Sequence, residues 1–386
     1  TWMVETDHSR VQRSGMANSA DDFLVPAAMR PVGVPPHGAV NVPEPMRSAS
    51  DALSQAVSAS AAEATASTPA TVDIAMGFTT GFATRLGGES QARTRLHFLV
   101  DVTNQAFVAS GINARIRLVR SLQVDYPDAT HSRSALFELT GMECKTQTNG
   151  DQYLSDRRVQ CTPIAQPAGL QPLTAARDAY GADLLVLVRK YEDPEQASCG
   201  SAWMLGGGQN PIDQGSAAFG MTVISDTSGD MFPDNGNTCS PLQLAHELGH
   251  NFGQQHDVVT ASGTDDSDSD GNLLDPEEFG HHPYSFGYST DGTASDIATI
   301  MSNRRPSQTR YRVFSNPLIT ACGGAACGTA DQADNARSMG ETMPIVAGFR
   351  PSVDPSLTAV APNEFDGDFD GDGIADVYWR NANSGH

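Results

Sequence analysis

The amino-acid sequence predicts an α/β fold, in which helices pack against a sheet, and three observations favour this class. Strand-like and helix-like segments alternate between residues 71 and 190, which is the order of an α/β sandwich. Two more strand-like segments follow, each bounded by turn-forming residues. Apolar residues make up 39% of the chain and the polar stretches are concentrated at its ends, which leaves enough apolar surface for a sizeable core.

The first predicted elements are a strand and a long helix. Residues 71–78, TVDIAMGF, alternate as a strand does. Residues 89–111 place Leu96, Leu99 and Phe107 on one helical face, and Gly111 is expected to end the helix. We therefore expect the strand to be followed by an amphipathic helix.

Four further strands are predicted downstream. Residues 112–126 alternate apolar and polar side chains, whereas residues 182–191, ADLLVLVRKY, form a short continuous apolar run suited to a buried strand. Residues 200–207, GSAWMLGG, and residues 218–226, AFGMTVISD, are bounded by Gly-rich or polar turns. These segments complete the predicted sheet.

Two more helices are predicted in the second half of the chain. Residues 238–253 read TCSPLQLAHELGHNFG, where Ser240 is suited to the N-cap, Pro241 to the first helical position and Gly253 to a left-handed end. Residues 330–349 form the last helix, which Gly340 and Pro344 are expected to kink.

The charge balance excludes two classes of partner. The chain carries 24 Lys+Arg against 46 Asp+Glu, a formal net charge of −22. Nucleic acid and anionic membrane surfaces are densely negative and would be repelled. No run of about 18 apolar residues occurs, so no membrane insertion is expected.

The six cysteines favour an oxidising compartment. Their even number and the absence of any CxxC motif favour disulfides over a thiolate metal site, although buried reduced thiols in a cytosolic protein remain the alternative. Sequence alone does not fix the connectivity. Pairing of nearest neighbours would join Cys144 with Cys161, Cys199 with Cys239 and Cys322 with Cys327.

The segment HELGHNFGQQHD has the spacing of a catalytic zinc site. His246 and His250 are four residues apart and therefore lie on one face of a helix, with Glu247 beside them. A turn at Gly253 would return His256 as a third nitrogen ligand, which leaves a fourth position for water. The alternative is an ordinary helix with surface or core histidines, but the fixed spacing of all these residues makes chance a poor explanation.

With these motifs in place, the chain resembles the metzincin zinc endopeptidases, and within them the adamalysin/reprolysin-like and bacterial peptidyl-Asp metallopeptidase groups. The resemblance covers about residues 71–350 and includes, besides HELGHNFGQQHD, the segments SFGYST, IATIMSN, YRVFSNP and ADNARSMGETMPIVAGFR. It implies a zincin-like domain with a twisted mixed sheet and an active-site helix.

The resemblance also implies a role for each matched residue. It implies that Glu247 is the general base that activates water, and that Met301 packs beneath the metal. The implied zinc ligands are His246, His250 and His256, and the implied structural residues are Gly253, Asp257 and Met301. No cysteine precedes Cys144, so a cysteine-switch propeptide is not expected in this sequence. Inhibition by residues 1–70 stays open, without a recognised zinc-blocking residue to support it.

Substrate contacts are implied at two places. In the family an extended polypeptide pairs with an edge strand above the cleft, which would be Gly200, Ser201, Ala202 and Trp203, although an ordinary core strand is equally compatible with this segment. Arg304 and Arg305 fall where the pocket for the residue after the cleaved bond is built. Guanidinium groups there would favour acidic side chains, whereas solvated loop arginines are the alternative.

Two acidic loops have the spacing of calcium sites. The first, DSDSDGNLLDPE, is an isolated loop whose alternative is a solvated insertion; its candidate ligands are Asp266, Asp268, Asp270, Asn272 and Glu277. The second resembles one FG-GAP/VCBS repeat of a β-propeller, with candidate ligands Asp368, Asp370, Asp372 and Asp376.

These observations predict three regions and one main function. Residues 1–70 are expected to be a largely disordered propeptide remnant or linker, 71–352 the catalytic domain, and 353–386 a linker with an incomplete repeat. The expected protein is a secreted bacterial zinc metalloendopeptidase that acts on polypeptides, with its signal peptide outside this sequence. The alternative is a secreted adhesion or carbohydrate-binding protein that keeps the zincin fold as a scaffold and contacts cell surfaces through its repeats.

Overall fold

A computed structural model describes most of the region between residues 69 and 353 and a short N-terminal segment. The described residues are 22–26, 69–146, 158–192, 196, 198–227, 239–262, 274–275, 278–291, 296–303 and 308–353, with the backbone alone at 144–146 and 158–160. The candidate calcium ligands of both acidic loops lie outside these ranges, and so do Arg304, Arg305 and the predicted repeat.

Strands and helices alternate through the first half of the described chain. The strands are β1 (Phe23–Pro26), β2 (Ala70–Thr79), β3 (Ala114–Val124), β4 (Met142–Thr146), β5 (Arg158–Pro163), β6 (Leu184–Lys190), β7 (Gly200–Trp203), β8 (Met221–Asp226), β9 (Gln255–Asp257), β10 (Phe286–Gly287), β11 (Ile297–Ala298) and β12 (Thr309–Arg310). The α-helices are α1 (Thr80–Leu86), α2 (Glu89–Ala109), α3 (Ser132–Thr140), α4 (Gln171–Ala179), α5 (Gln243–Asn251), α6 (Val258–Ala261) and α7 (Asn335–Val346), with a 3₁₀ helix at Gln214–Phe219. None of the helices in the described ranges is long and apolar enough to cross a membrane.

Eight strands form one mixed sheet, which confirms the predicted class. Their order is β3-β2-β6-β8-β7-β1-β5-β4. The four neighbouring strands β3, β2, β6 and β8 pair in parallel. Strand β7 is antiparallel to β8, and β4 is antiparallel to β5. Strand β1 pairs in parallel with both β7 and β5, so the N-terminal segment lies inside the sheet.

The predicted core elements are confirmed in β2, α2, β3, β6, β7 and β8. Leu96, Leu99 and Phe107 of α2 are buried together, and Gly111 adopts a φ of 74° just beyond the helix. The first six residues of β6 are buried, as expected for a strand inside a parallel sheet. The sequence patterns did not predict α1, α3, α4, β4 or β5.

Helix α5 begins later than the sequence predicts. The N-cap is Leu242, without a side-chain cap, and Ser240 and Pro241 lie before the helix. A tight turn precedes it, in which the Gln243 N–H donates to the Ser240 carbonyl at 2.9 Å and the Leu242 N–H donates to Ser240 Oγ at 3.2 Å. Ser240 therefore caps this turn, and the predicted N-cap is wrong by two residues.

The last helix is confirmed with shorter bounds. Helix α7 starts after Asp334, whose carboxylate accepts a hydrogen bond from the Arg337 N–H at 3.0 Å, and it continues through Pro344.

Two of the predicted disulfides are confirmed. Cys199 is bonded to Cys239 and Cys322 to Cys327, with Cα atoms 5.5 and 5.3 Å apart. The register of β4 and β5 places Cys144 opposite Cys161, which is disulfide-bonded. The Cys199–Cys239 disulfide joins the start of β7 to the segment that leads into α5.

Candidate metal centre

Helix α5 presents two histidines from successive turns. His246 and His250 are buried, and their ring centroids lie 5.0 Å apart. Because side chains four positions apart project from the same helical face, both rings point away from the helix in one direction. The short helix therefore supplies two imidazoles to one side of the site.

A left-handed turn brings the third histidine back. Gly253 has a φ of 81°, and the Gln254 N–H donates to the Gly249 carbonyl at 2.9 Å, which closes the end of the helix. A Cβ at Gly253 would lie 2.7 Å from His281 Cβ, so the turn also requires glycine for space. After this turn His256, in β9, places its Nε2 3.2 Å from Nε2 of His246.

Backbone carbonyls fix the orientation of the two helical imidazoles. Nδ1 of His246 lies 2.8 Å from the Ile300 carbonyl, and Nδ1 of His250 lies 2.8 Å from the Gln254 carbonyl. A carbonyl only accepts, so each Nδ1 carries the proton and each Nε2 presents a lone pair. Burial lowers the pKa of His250 to about 4, which keeps this ring neutral near pH 7.

An aspartate from the N-terminal segment completes the cluster. Asp22 precedes β1, and its Oδ1 lies 2.9 Å from Nε2 of His256 and 3.4 Å from Nε2 of His250, while its Oδ2 lies 3.1 Å from Nε2 of His246. Burial would raise the pKa of Asp22, but the charge of His256 and the contacts with His246 hold it well below its ordinary value. Asp22 is therefore an ionised carboxylate among three imidazoles.

The donor set fits a zinc ion. His250 Nε2 and Asp22 Oδ1 are buried without a hydrogen-bond partner, and Nε2 of His246 lies 3.2 Å from Nε2 of His256, so a cation between these atoms would satisfy all of them. Zinc bonded to nitrogen at about 2.0–2.1 Å sets tetrahedral ligand atoms about 3.3 Å apart. The spacings of 2.9–3.4 Å around Asp22 match this value.

Glu247 lies beside the metal cluster without belonging to it. Its Oε1 accepts a hydrogen bond from the Gln243 amide at 2.7 Å, and its Oε2 is buried without a partner. Burial, and then the charge of Asp22, raise the pKa of Glu247 well above its ordinary value. A Cβ added at Gly200 would lie 2.7 Å from Glu247 Cγ, so the start of β7 contacts this side chain directly.

Met301 packs against the helix of the site, and Asp257 anchors the segment that follows the third histidine. A Cβ at Gly249, on α5, would collide with the Met301 sulfur, which places this methionine against the helix that carries the two histidines. Asp257 is buried; its Oδ2 accepts from the Asn303 N–H at 3.1 Å and its Oδ1 from Ser289 Oγ at 2.9 Å. Asp257 thereby joins the chain after His256 to the turn that contains Met301.

Strand β7 runs along the same site. Gly200, Ser201, Ala202 and Trp203 are all buried, and the Trp203 indole donates to Thr140 Oγ1 at 2.8 Å. One side of β7 pairs with β8, and the other side pairs with β1. The strand that was expected to receive a substrate is therefore paired, on its outer side, with residues of its own chain.

Sequence reasoning missed Asp22 and β1. The only local signal is the run DDFLVP, in which an acidic pair precedes three apolar residues inside an otherwise polar region. Strand patterns this short carry little information, and nothing in the run specifies its partner strand. The sequence of residues 1–70 reveals no zinc-blocking residue, whereas the structure places Asp22 among the three histidines.

The comparisons with known proteins agree with this geometry. Residues 68–333 match the model of the reprolysin-like metallopeptidase family M12B, and the chain belongs to this family. The buried histidine cluster is typical of the metzincin zinc-binding triad.

Two curated relatives and one solved structure illustrate the likeness. Peptidyl-Asp metalloendopeptidase of Pseudomonas aeruginosa is 28% identical over 309 residues, 77% of this chain and 43% of the relative. The Stenotrophomonas maltophilia protein of the same name is 25% identical over 291 residues, 75% of this chain and 55% of the relative, so the chain spans about half of each. The crystal structure of metalloproteinase-II from Bacteroides fragilis matches 56% of this chain and 50% of its own, with 14% identity and a TM-score of 0.28, which is too low to support an argument.

Proposed function

We propose that this chain is a zinc-dependent metalloendopeptidase. The observation that carries the proposal is the convergence of three imidazole Nε2 atoms beside a buried glutamate and along one side of β7. The ligands would be His246, His250 and His256, and zinc bound there would supply Lewis-acid polarisation of the scissile carbonyl and a lowered pKa for water.

Glu247 is the proposed general base and acid. Its Oε1 is held by Gln243, which leaves Oε2 as the atom that accepts a proton from the attacking water and then passes it to the leaving amine.

The proposed substrate site is the outer side of β7. The backbone N–H groups of Ala202 and Met204 donate to the carbonyls of Asp22 and Leu24 at 2.9 and 2.8 Å, and an extended polypeptide would use the same donors. Recognition through the backbone makes this part of the site tolerant of sequence, and selectivity would come from side-chain pockets.

We propose a preference for an acidic residue after the cleaved bond. The support is the name of the two relatives, peptidyl-Asp metalloendopeptidase, and the presence of Arg304 and Arg305 shortly after Met301 in the sequence. Replacement of both arginines by Ala is expected to abolish the enrichment of acidic residues directly after the cleaved bond in a peptide-library digest. An unchanged cleavage profile would count against it.

Three further expectations join the proposal. The disulfides Cys199–Cys239 and Cys322–Cys327 support secretion into an oxidising compartment. The acidic spacings 266–277 and 368–376 support structural calcium sites, and the second supports a C-terminal repeat that follows a catalytic domain over 71–352. The scaffold alternative is less favoured, because a buried Glu247 carboxyl costs free energy and a scaffold has no use for it.

The test is hydrolysis of unfolded casein by zinc-loaded protein. Because Asp22 stands among the imidazoles, the assay uses both the full chain and its Asp22→Ala variant, each with and without Glu247→Ala. We expect cleavage by at least one form, reduced by about 10²–10⁴-fold when Glu247 is replaced, with zinc content unchanged. Absence of cleavage in every form that carries one zinc would overturn the proposal.

A further inference from the structure

We propose that residues 22–26 are an inhibitory strand that closes the site in this chain, with the Asp22 carboxylate as the fourth ligand of the metal. The inference names a regulation of the proposed peptidase site and rests on that proposed function for its meaning as inhibition. Its first support is the position of Asp22, the one residue outside HELGHNFGQQHD that joins the described metal cluster, 224 positions before His246.

The carboxylate takes the place that water would need. Oδ1 of Asp22 lies 2.9 Å from Nε2 of His256 and 3.4 Å from Nε2 of His250, its Oδ2 lies 3.1 Å from Nε2 of His246, and the carboxylate is buried. Three protein nitrogens leave one tetrahedral position open, and a carboxylate oxygen at this distance fills it. A site with four protein ligands has no position for a reactive water.

The backbone of the same segment covers the substrate strand. Carbonyls of Asp22 and Leu24 accept the N–H groups of Ala202 and Met204, and Phe23 is paired in register with Ala202. These are the donors on the outer side of β7. A polypeptide could pair with β7 only after β1 has left, so one segment blocks both the metal and the substrate strand.

Side chains of β1 hold it in place. Phe23 is fully buried, with its ring 4.7 Å from His250 and 5.3 Å from His256 between centroids. Leu24 is fully buried in the main core, and Val25 lies so close to Gly207 that an added Cβ there would be 2.7 Å from a Val25 methyl. The strand is thus docked by apolar contacts that do not depend on a metal.

The orientation explains why β1 blocks the site without being a substrate. At Asp22 the backbone carbonyl is bonded to Ala202 within the sheet, and the side chain points at the histidines. The group presented to the metal is therefore a carboxylate, which has no scissile bond. Residues 27–68 join β1 to the catalytic unit in the sequence, so a cut in this connection would free the strand to leave.

The test compares Asp22→Ala with Asp21→Ala in the full zinc-loaded chain. Both variants lose one negative charge from adjacent positions, and the structure places the Asp22 carboxylate among the three histidines. Three quantities are measured: the rate of zinc transfer to a chelator, the rate of casein hydrolysis, and hydrogen exchange at the amides of Ala202 and Met204.

We expect Asp22→Ala to release zinc at least about tenfold faster and to hydrolyse casein at least about tenfold faster, with faster amide exchange along β7, while Asp21→Ala matches the parent. Asp22→Asn, which keeps the size of the side chain, is expected to fall between them and guards against misfolding of the Ala variant. Faster zinc release without hydrolysis in any form would support the Asp22 ligand and count against the peptidase. Equal zinc release, hydrolysis and exchange in all chains would overturn the inhibitory strand and leave the peptidase standing.

Discussion

The two halves of the sheet differ in length, pairing and role. Strands β3, β2, β6 and β8 have 11, 10, 7 and 6 residues, and each pairs in parallel with its neighbour in this half. Strands β7, β1, β5 and β4 have 4, 4, 6 and 5 residues and include the distant N-terminal segment. The long half carries no residue of the metal cluster, whereas the short half lies directly against it.

This difference indicates that the two halves of the sheet have different roles. A long parallel half buried in the core sets the stability of the domain, because its apolar side chains leave water only on global unfolding. Within the short half, β1 is held by a few hydrogen bonds and by the buried side chains of Phe23 and Leu24, so this strand is suited to local opening. The metal site thus lies beside the shorter strands, and β1 from the N-terminal segment of the same chain occupies the place between β7 and β5.

The largest expected effect is on stability, from a change in the long half. Ile74 is fully buried in β2, so Ile74→Ala should lower the free energy of unfolding by about 2–5 kcal/mol through lost burial and a residual cavity. Chemical denaturation with near-UV circular dichroism measures the change. Val108→Ala, at a side chain that is 78% exposed, is the matched control, expected within about 0.5 kcal/mol of the parent.

The second prediction concerns the contact between the short half and the general base. A methyl group at Gly200 would meet Glu247 Cγ at 2.7 Å, so Gly200→Ala should displace this carboxyl and lower kcat/KM by about tenfold to a hundredfold in the Asp22→Ala background. Gly340→Ala is the control, because a Cβ there meets nothing within 4 Å. Full activity of Gly200→Ala would show that Glu247 does not need its present position.

The third prediction separates local from global opening. Phe23→Ala removes the largest buried side chain of β1, yet the free energy of global unfolding should fall by less than about 1 kcal/mol, because β1 undocks before the rest of the domain unfolds. Hydrogen exchange at Ala202 and Met204 should nevertheless become faster. A loss of stability as large as that of Ile74→Ala would contradict the proposed independence of the two halves.

The fourth prediction is a pH dependence in the long half. Burial raises the pKa of Asp183 to about 6, although its carboxylate accepts from the backbone N–H groups of Asp73 and Arg350. The folded state then binds this proton more tightly than the unfolded state, so the contribution of Asp183 to stability falls as pH rises from about 4 to 6. Thermal unfolding of Asp183→Asn should lack this decline. A parallel pH profile in the two proteins would contradict the shift.

The sequence predicts local features well, because their physical causes are local. The spacing of His246, His250 and Gly253 encodes a helix face and a turn, and the apolar run of β6 encodes its burial. Ser240 is predicted to be the N-cap of α5, but it lies in the tight turn before the helix, where its hydroxyl accepts a hydrogen bond from the Leu242 N–H. Serine is favoured in both kinds of position, so the residue type alone does not distinguish them. Asp22 was missed because its role depends on the pairing of β1 with β7, which no local pattern specifies.

The central claim is that three imidazoles and Asp22 hold one metal ion in the closed chain. A crystal structure of the zinc-loaded full chain, with anomalous data collected at the zinc edge, tests it most directly. We expect one strong anomalous peak within about 2.3 Å of the three Nε2 atoms and of an Asp22 oxygen, with β1 paired to β7. A peak at the three histidines with water in place of Asp22, or no peak at the histidines, would contradict the claim.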